Sequence, residues 1–117
     1  NLAEALGKIE RYQEMINTLD LANRLQPSAG AWERIGFANF KLKRFDQSMD
    51  AFRQAIALDD AHYPALNGIG VCLLNKWLQS EKQDMDSKYE AINALRRSLQ
   101  IERKQPIVID LINTYGG

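Results

Sequence analysis

The fold class this chain predicts is all-α, an α-solenoid of antiparallel helix pairs, and three observations predict it. Apolar residues recur at spacings of three and four along almost the whole length, no segment reads as a convincing strand, and the chain matches itself at a shift of 34 residues. At that shift Ala31, Trp32, Ile35, Gly36 and Ala38 fall on Ala65, Leu66, Ile69, Gly70 and Cys72. Size and polarity stay in register.

Other shifts extend the array. At 33, Phe45, Ser48, Phe52, Ala55 and Leu58 fall on Tyr12, Met15, Leu19, Ala22 and Leu25, so the repeat starts before residue 29. At 43, Ser48, Met49, Phe52, Ala55, Ile56 and Leu58 fall on Ala91, Ile92, Leu95, Ser98, Leu99 and Ile101. Ile109, Ile112 and Asn113 then stand where Trp32, Ile35 and Gly36 stand. The expected organisation is a single domain fragment: a partial unit at 1–28, a unit at 29–62, a unit with an insertion at 63–105, and a partial unit at 106–117. The start at Asn1 and the end at Gly116-Gly117, directly after an apolar run, read as a piece of something longer.

About seven helices follow, including the partial end units: 2–8, 12–25, 30–42, 46–58, 63–80, 86–103 and 106–115. Ser28 precedes one helix and Asp46 marks the start of the next. Ser87 with Glu90 three residues later has the spacing of a capping box, which satisfies two free amide donors. Pro27, Pro64 and Pro106 fall at the joints, where a missing amide hydrogen costs little.

Ala31-Trp32-x-x-Ile35-Gly36, followed by Phe45, Ser48, Phe52, Ala55 and a joint near Asp60, resembles the tetratricopeptide repeat, whose pattern is W-x2-L-G and then small, aromatic, small and proline positions. The resemblance implies a right-handed solenoid whose first helices line a concave side. A physical reason stands behind the pattern, because antiparallel helices approach to about 8–10 Å only where small residues meet. Gly36, Gly70, Ser48, Ala55, Ala91 and Ser98 supply those meetings. There are departures too. Asn39 and Leu73 replace the usual tyrosine, Asp60 replaces the usual proline, and Lys88 replaces an aromatic, with Tyr89 beside it. The third unit carries nine extra residues between Asn75 and Lys88. That insertion is expected to lengthen both helices by about a turn and to project a charged hairpin bearing Trp77, a secondary candidate surface.

The bulk composition excludes several function classes. Fifteen basic and fifteen acidic side chains cancel, leaving no global field for nucleic acid, and a helical RNA reader would want a basic groove and regular units. One cysteine, Cys72, and one histidine, His62, leave no set from which to build a zinc site, and no cofactor is called for. The longest apolar run, Ile69 to Leu74, is far short of the ~20 residues that span a bilayer, so membrane insertion is not expected. The first residues carry no signal pattern; the compartment is left unknown, with the cytoplasm favoured. Asn67-Gly68-Ile69-Gly70 mimics a phosphate loop, but no strand precedes it; Asp84-Met85-Asp86-Ser87 lacks the glycine and distant glutamate of a calcium loop. Packing and capping are the simpler readings, and catalysis is not expected.

What remains is a surface. The resemblance places Glu33, Arg34, Phe37, Phe40 and Lys41 of the second unit, and Asn67, Val71, Leu74 and Asn75 of the third, along the concave groove, with Asp110 and Thr114 continuing the strip. Aromatic anchors beside amides and mixed charges suit a peptide. Members of the family that grip carboxylate tails use lysine and asparagine at fixed positions. Here Glu33, Phe37 and Gly68 stand in those places, so carboxylate clamping is not expected. The implied function is a protein–protein interaction scaffold that binds a peptide or partner protein along the concave groove or self-associates through its end units; the alternative is a docking or regulatory domain of a larger enzyme whose catalytic part lies outside this fragment.

Overall fold

The structure, a computed structural model, describes residues 2–116; Gly117 lies outside the described residues. Six helices follow in order: α1 (Leu2–Leu25), α2 (Ala29–Lys41), α3 (Phe45–Leu58), α4 (Tyr63–Gln79), α5 (Met85–Ile101) and α6 (Pro106–Tyr115). No strand occurs among the described residues. Each helix packs on the next in the chain, and α2 also meets α4, so the first helices of successive pairs lie side by side.

Six helices rather than seven is the first difference from expectation. The two short helices placed at 2–8 and 12–25 are one helix, α1. Nothing in Lys8-Ile9-Glu10-Arg11 caps or breaks it. Gly7 alone costs about 1 kcal/mol of helix propensity, and a Cβ there would meet nothing within 4 Å, so no neighbour forces a turn. Continuing the helix keeps every backbone donor paired internally.

Two of the expected caps also move. Ser28 does cap α2, its side chain accepting from the Ala31 amide at 3.1 Å. At α3, by contrast, the capping residue is Arg44, without a side-chain bond, and Asp46 lies inside the first turn, where its charge suits the helix dipole. At α5 the cap is Asp84, not Ser87. Its carboxylate accepts from the Ser87 amide (3.2 Å) and hydroxyl (2.7 Å), which holds its pKa below the usual carboxylate range. Pro64 and Pro106 sit in the first turns of α4 and α6.

The nine extra residues of the second complete pair are distributed over three elements. Relative to α2 and α3, with 13 and 14 residues, α4 and α5 each have 17, and the turn between them, 80–84, is two residues longer than 42–44. Glu81 and Lys82 hold left-handed backbone at φ 58° and 65°. Ser80 staples the turn, donating to the Trp77 carbonyl at 2.6 Å and accepting from the amides of Gln83 and Asp84.

Helices pack closely where side chains are small. Ser48 is fully buried and donates its hydroxyl to the Gly36 carbonyl at 2.6 Å, tying α3 to α2. Phe52 of α3 lies between two glycines: a Cβ on Gly36 would come within 2.7 Å of its ring, and one on Gly68 within 2.4 Å. In the second pair Gly70 meets Leu95 and the Ala91 backbone in the same way. Two apolar clusters result. One is centred on Phe52, Ala55, Ala65 and Cys72, the other on Leu73, Leu74, Trp77, Ile92, Leu95 and Val108.

Candidate partner-binding groove

Three concavities run along the side formed by α2, α4 and α6. The first, about 730 Å³, lies between α1 and α2 and includes Arg11, Glu14, Met15, Glu33, Arg34 and Phe37. The second, about 250 Å³, is bounded by Glu33, Phe37, Phe40 and Lys41 of α2 and by Pro64, Asn67, Gly68 and Val71 of α4, with Phe52 beneath. The third, about 650 Å³, is shared by α4, α5 and α6 and includes Tyr63, Asn67, Val71, Gln105 and Leu111. Glu33 and Phe37 border the first two, and Asn67 and Val71 border the last two. The strip is therefore continuous.

Its chemistry follows from helical spacing. Glu33, Phe37 and Lys41 are four residues apart and share one face of α2. Phe37 is 46 % exposed, meets Tyr12 of α1 edge-on at 6.3 Å, and has the Lys41 ammonium 5.4 Å from its ring centroid. Phe40 is half-buried, packs edge-on against Phe45, and contributes to the wall of the middle pocket. Opposite, Val71 is 36 % exposed. The Asn67 amide nitrogen donates to Gln105 Oε1 at 2.7 Å, while its carbonyl oxygen is buried and has no partner among the described residues. Arg34 and Lys41 are exposed.

Four of the residues expected along the strip, Leu74, Asn75, Asp110 and Thr114, lie off it. Leu74 is buried (5 %) in the second apolar cluster, and Asn75 borders a different concavity, with Phe45, Asp46 and Lys76. Side chains of α5 and α6, Ile92, Leu95 and Val108, share the cluster that buries Leu74, whereas Asn75 faces α3 and the turn before it. Trp77, expected on a projecting hairpin, is 7 % exposed. It packs edge-on against Tyr115 at 5.7 Å, with the ammonium groups of Lys82 and Lys88 near its ring. The insertion does lengthen both helices, yet its tryptophan turns inward and is not a surface. Asp110 and Thr114 are exposed on α6 but border none of the three concavities.

Other residues line the strip without having stood out in the sequence. Phe52 reads as interior filling, and it becomes the pocket floor only because Gly68 removes a side chain above it. Pro64 reads as a helix start and is also a wall. Gln105 reads as linker, though its side-chain nitrogen also donates to the Ser98 hydroxyl at 3.0 Å and the Glu102 carbonyl at 2.8 Å. Only the packing of successive units brings these residues together.

The remaining chemistry-bearing groups have structural surroundings. Cys72 is buried, with its sulfur 3.6 Å from Ser48 Oγ; burial raises its pKa, partly offset by that contact. Asn67 through Gly70 lie inside α4 and form no loop. No group of three or more His, Cys, Asp or Glu is placed to hold a metal among the described residues, and none of their helices is long and apolar enough to cross a membrane.

Paired helices, close-packed through small residues and leaving an open strip along their first members, define a helical-repeat scaffold. Residues 29–62 match the family model of the tetratricopeptide repeat, which supports a tetratricopeptide assignment for that unit. No curated protein matches the chain. Tetratricopeptide repeats generally mediate protein–protein interaction and are typically non-catalytic.

Proposed function

We propose that the chain holds a peptide or an extended segment of a partner protein in the strip along α2 and α4. The observation that carries this reading is Phe37, a large aromatic left 46 % exposed at the border of two adjoining concavities. Aromatic anchors in partly enclosed pockets supply a large share of interface energy, while the polar rim sets orientation. A pull-down with the intact protein is compared with a Phe37→Ala, Val71→Ala double variant. Both side chains are substantially exposed, so the variant folds, and the partner is lost from it. An unchanged set of captured proteins contradicts the groove.

Self-association is a second reading, and the exposed apolar stripe of α1 favours it. Leu2, Leu6 and Ile9 share one face of that helix and are 75 %, 51 % and 49 % exposed. Light scattering over a concentration series is expected to show dimer forming, and to show monomer throughout for Leu6→Lys, Ile9→Lys. Monomer at every concentration for the unaltered chain contradicts this reading.

A further inference from the structure

We infer that the middle pocket selects an extended peptide in which a bulky apolar residue is flanked, two positions away on each side, by one basic and one acidic residue. This rests on the groove reading proposed above and specifies its occupant.

The pocket sets the apolar requirement. At about 250 Å³ it is smaller than the roughly 300–1,000 Å³ of sites that enclose a whole small molecule, so it suits a single side chain. Its walls are Phe37, Phe40, Pro64 and Val71, and its floor is the Phe52 ring, reached because Gly68 lacks a Cβ. Nothing at this depth offers a charge.

The rim sets the flanking charges. Glu33 and Lys41 both border the pocket, one helical turn to either side of Phe37. Neither has an ion-pair partner among the described residues, so both charges are available to a ligand. The α4 wall contributes Pro64, Asn67, Gly68 and Val71, none of them charged, so α2 alone decides the electrostatics. A ligand carrying two like charges meets one attraction and one repulsion, whereas one basic and one acidic residue meet two attractions.

The spacing sets the conformation. Eight residues of helix separate Glu33 from Lys41 by about 12 Å. In an extended peptide alternate side chains point the same way, and residues four apart are about 13 Å from each other. Positions i, i+2 and i+4 therefore meet Glu33, the pocket and Lys41 in turn.

Amide chemical shifts of the full chain, titrated with end-blocked peptides, test the inference. The probes carry Lys-Ser-Leu-Ser-Glu, its reverse order, Lys-Ser-Leu-Ser-Lys, Glu-Ser-Leu-Ser-Glu, and Lys-Ser-Ser-Ser-Glu. A mixed-charge leucine peptide is expected to shift the amides around Phe37 and Val71 and to bind at least about fivefold tighter than either like-charged peptide. The serine-centred probe is expected not to bind. Lys41→Glu is expected to transfer preference to the doubly basic peptide, and Glu33→Lys to the doubly acidic one, a change of sign that a merely structural role would not produce. Equal binding of all leucine peptides, lost in Phe37→Ala, overturns the charge bracket and leaves the groove standing. No binding of the mixed-charge peptides overturns the occupant proposed here. Shifts confined to residues away from the pocket overturn the groove reading itself.

Discussion

At the level of single residues, glycine and cysteine carry the sharpest consequences. Gly68→Ala would put a methyl 2.4 Å from the Phe52 ring, which is buried and already confined by Gly36 on its other side. Overpacking of this kind costs about 1–3 kcal/mol, more than the helix propensity gained. Gly7→Ala, in open space on α1, is expected instead to stabilise by about 0.5–1 kcal/mol. Chemical denaturation of the two variants checks the pair, and the same sign for both would contradict the packing described. Gly36 and Gly70 were legible in the sequence because they recur at the repeat spacing. The role of Gly68 was not, since it depends on a ring from the preceding unit. Cys72 adds a pH dependence. Because burial raises its folded pKa, the unfolded chain ionises first as pH rises, binds fewer protons than the native state, and gains stability relative to it. Native stability from this residue is complete below the ordinary thiol pKa and falls between that value and the raised one. Denaturation of the wild type and of Cys72→Ala across alkaline pH is expected to show a component that the variant lacks.

Among the elements, the longer second hairpin departs most from the repeat. The spacing of apolar residues gave its helix lengthening, but not the direction of Trp77, because a residue near a helix end can face solvent or a following element with the same periodicity. Here α6 supplies that element: Tyr115 packs on Trp77, and Val108 joins the same cluster. Trp77→Ala is therefore expected to cost about 3–5 kcal/mol, read by chemical denaturation, as for a core aromatic. A tryptophan on a projecting hairpin would cost within about 0.5 kcal/mol, and that small a loss would contradict the burial. The fusion of two expected helices into α1 has the opposite lesson. Gly7 weakens a helix locally, but without a proline, a cap or a packed neighbour the backbone has no reason to turn.

For the whole molecule, the repeat carried the helix-pair architecture from sequence to structure. Glu33, Arg34, Phe37, Phe40, Lys41, Asn67 and Val71 all border the continuous strip, because positions on the inner face of the first helix follow from the register of each unit. Leu74 does not, because it is buried against α5 and α6, and Asn75 does not, because it faces α3. A surface assembled from neighbouring units is legible only as far as the units stay alike. In the proposed function this strip, and not the outer helices, holds the partner. The most direct measurement places a photo-crosslinking amino acid at Phe37 and, in a second protein, at exposed Gln54 on α3, which borders none of the three concavities. A discrete covalent adduct, competed by the bound peptide, is expected from position 37 and none from position 54. The same adduct from position 54, with none from position 37, would contradict it.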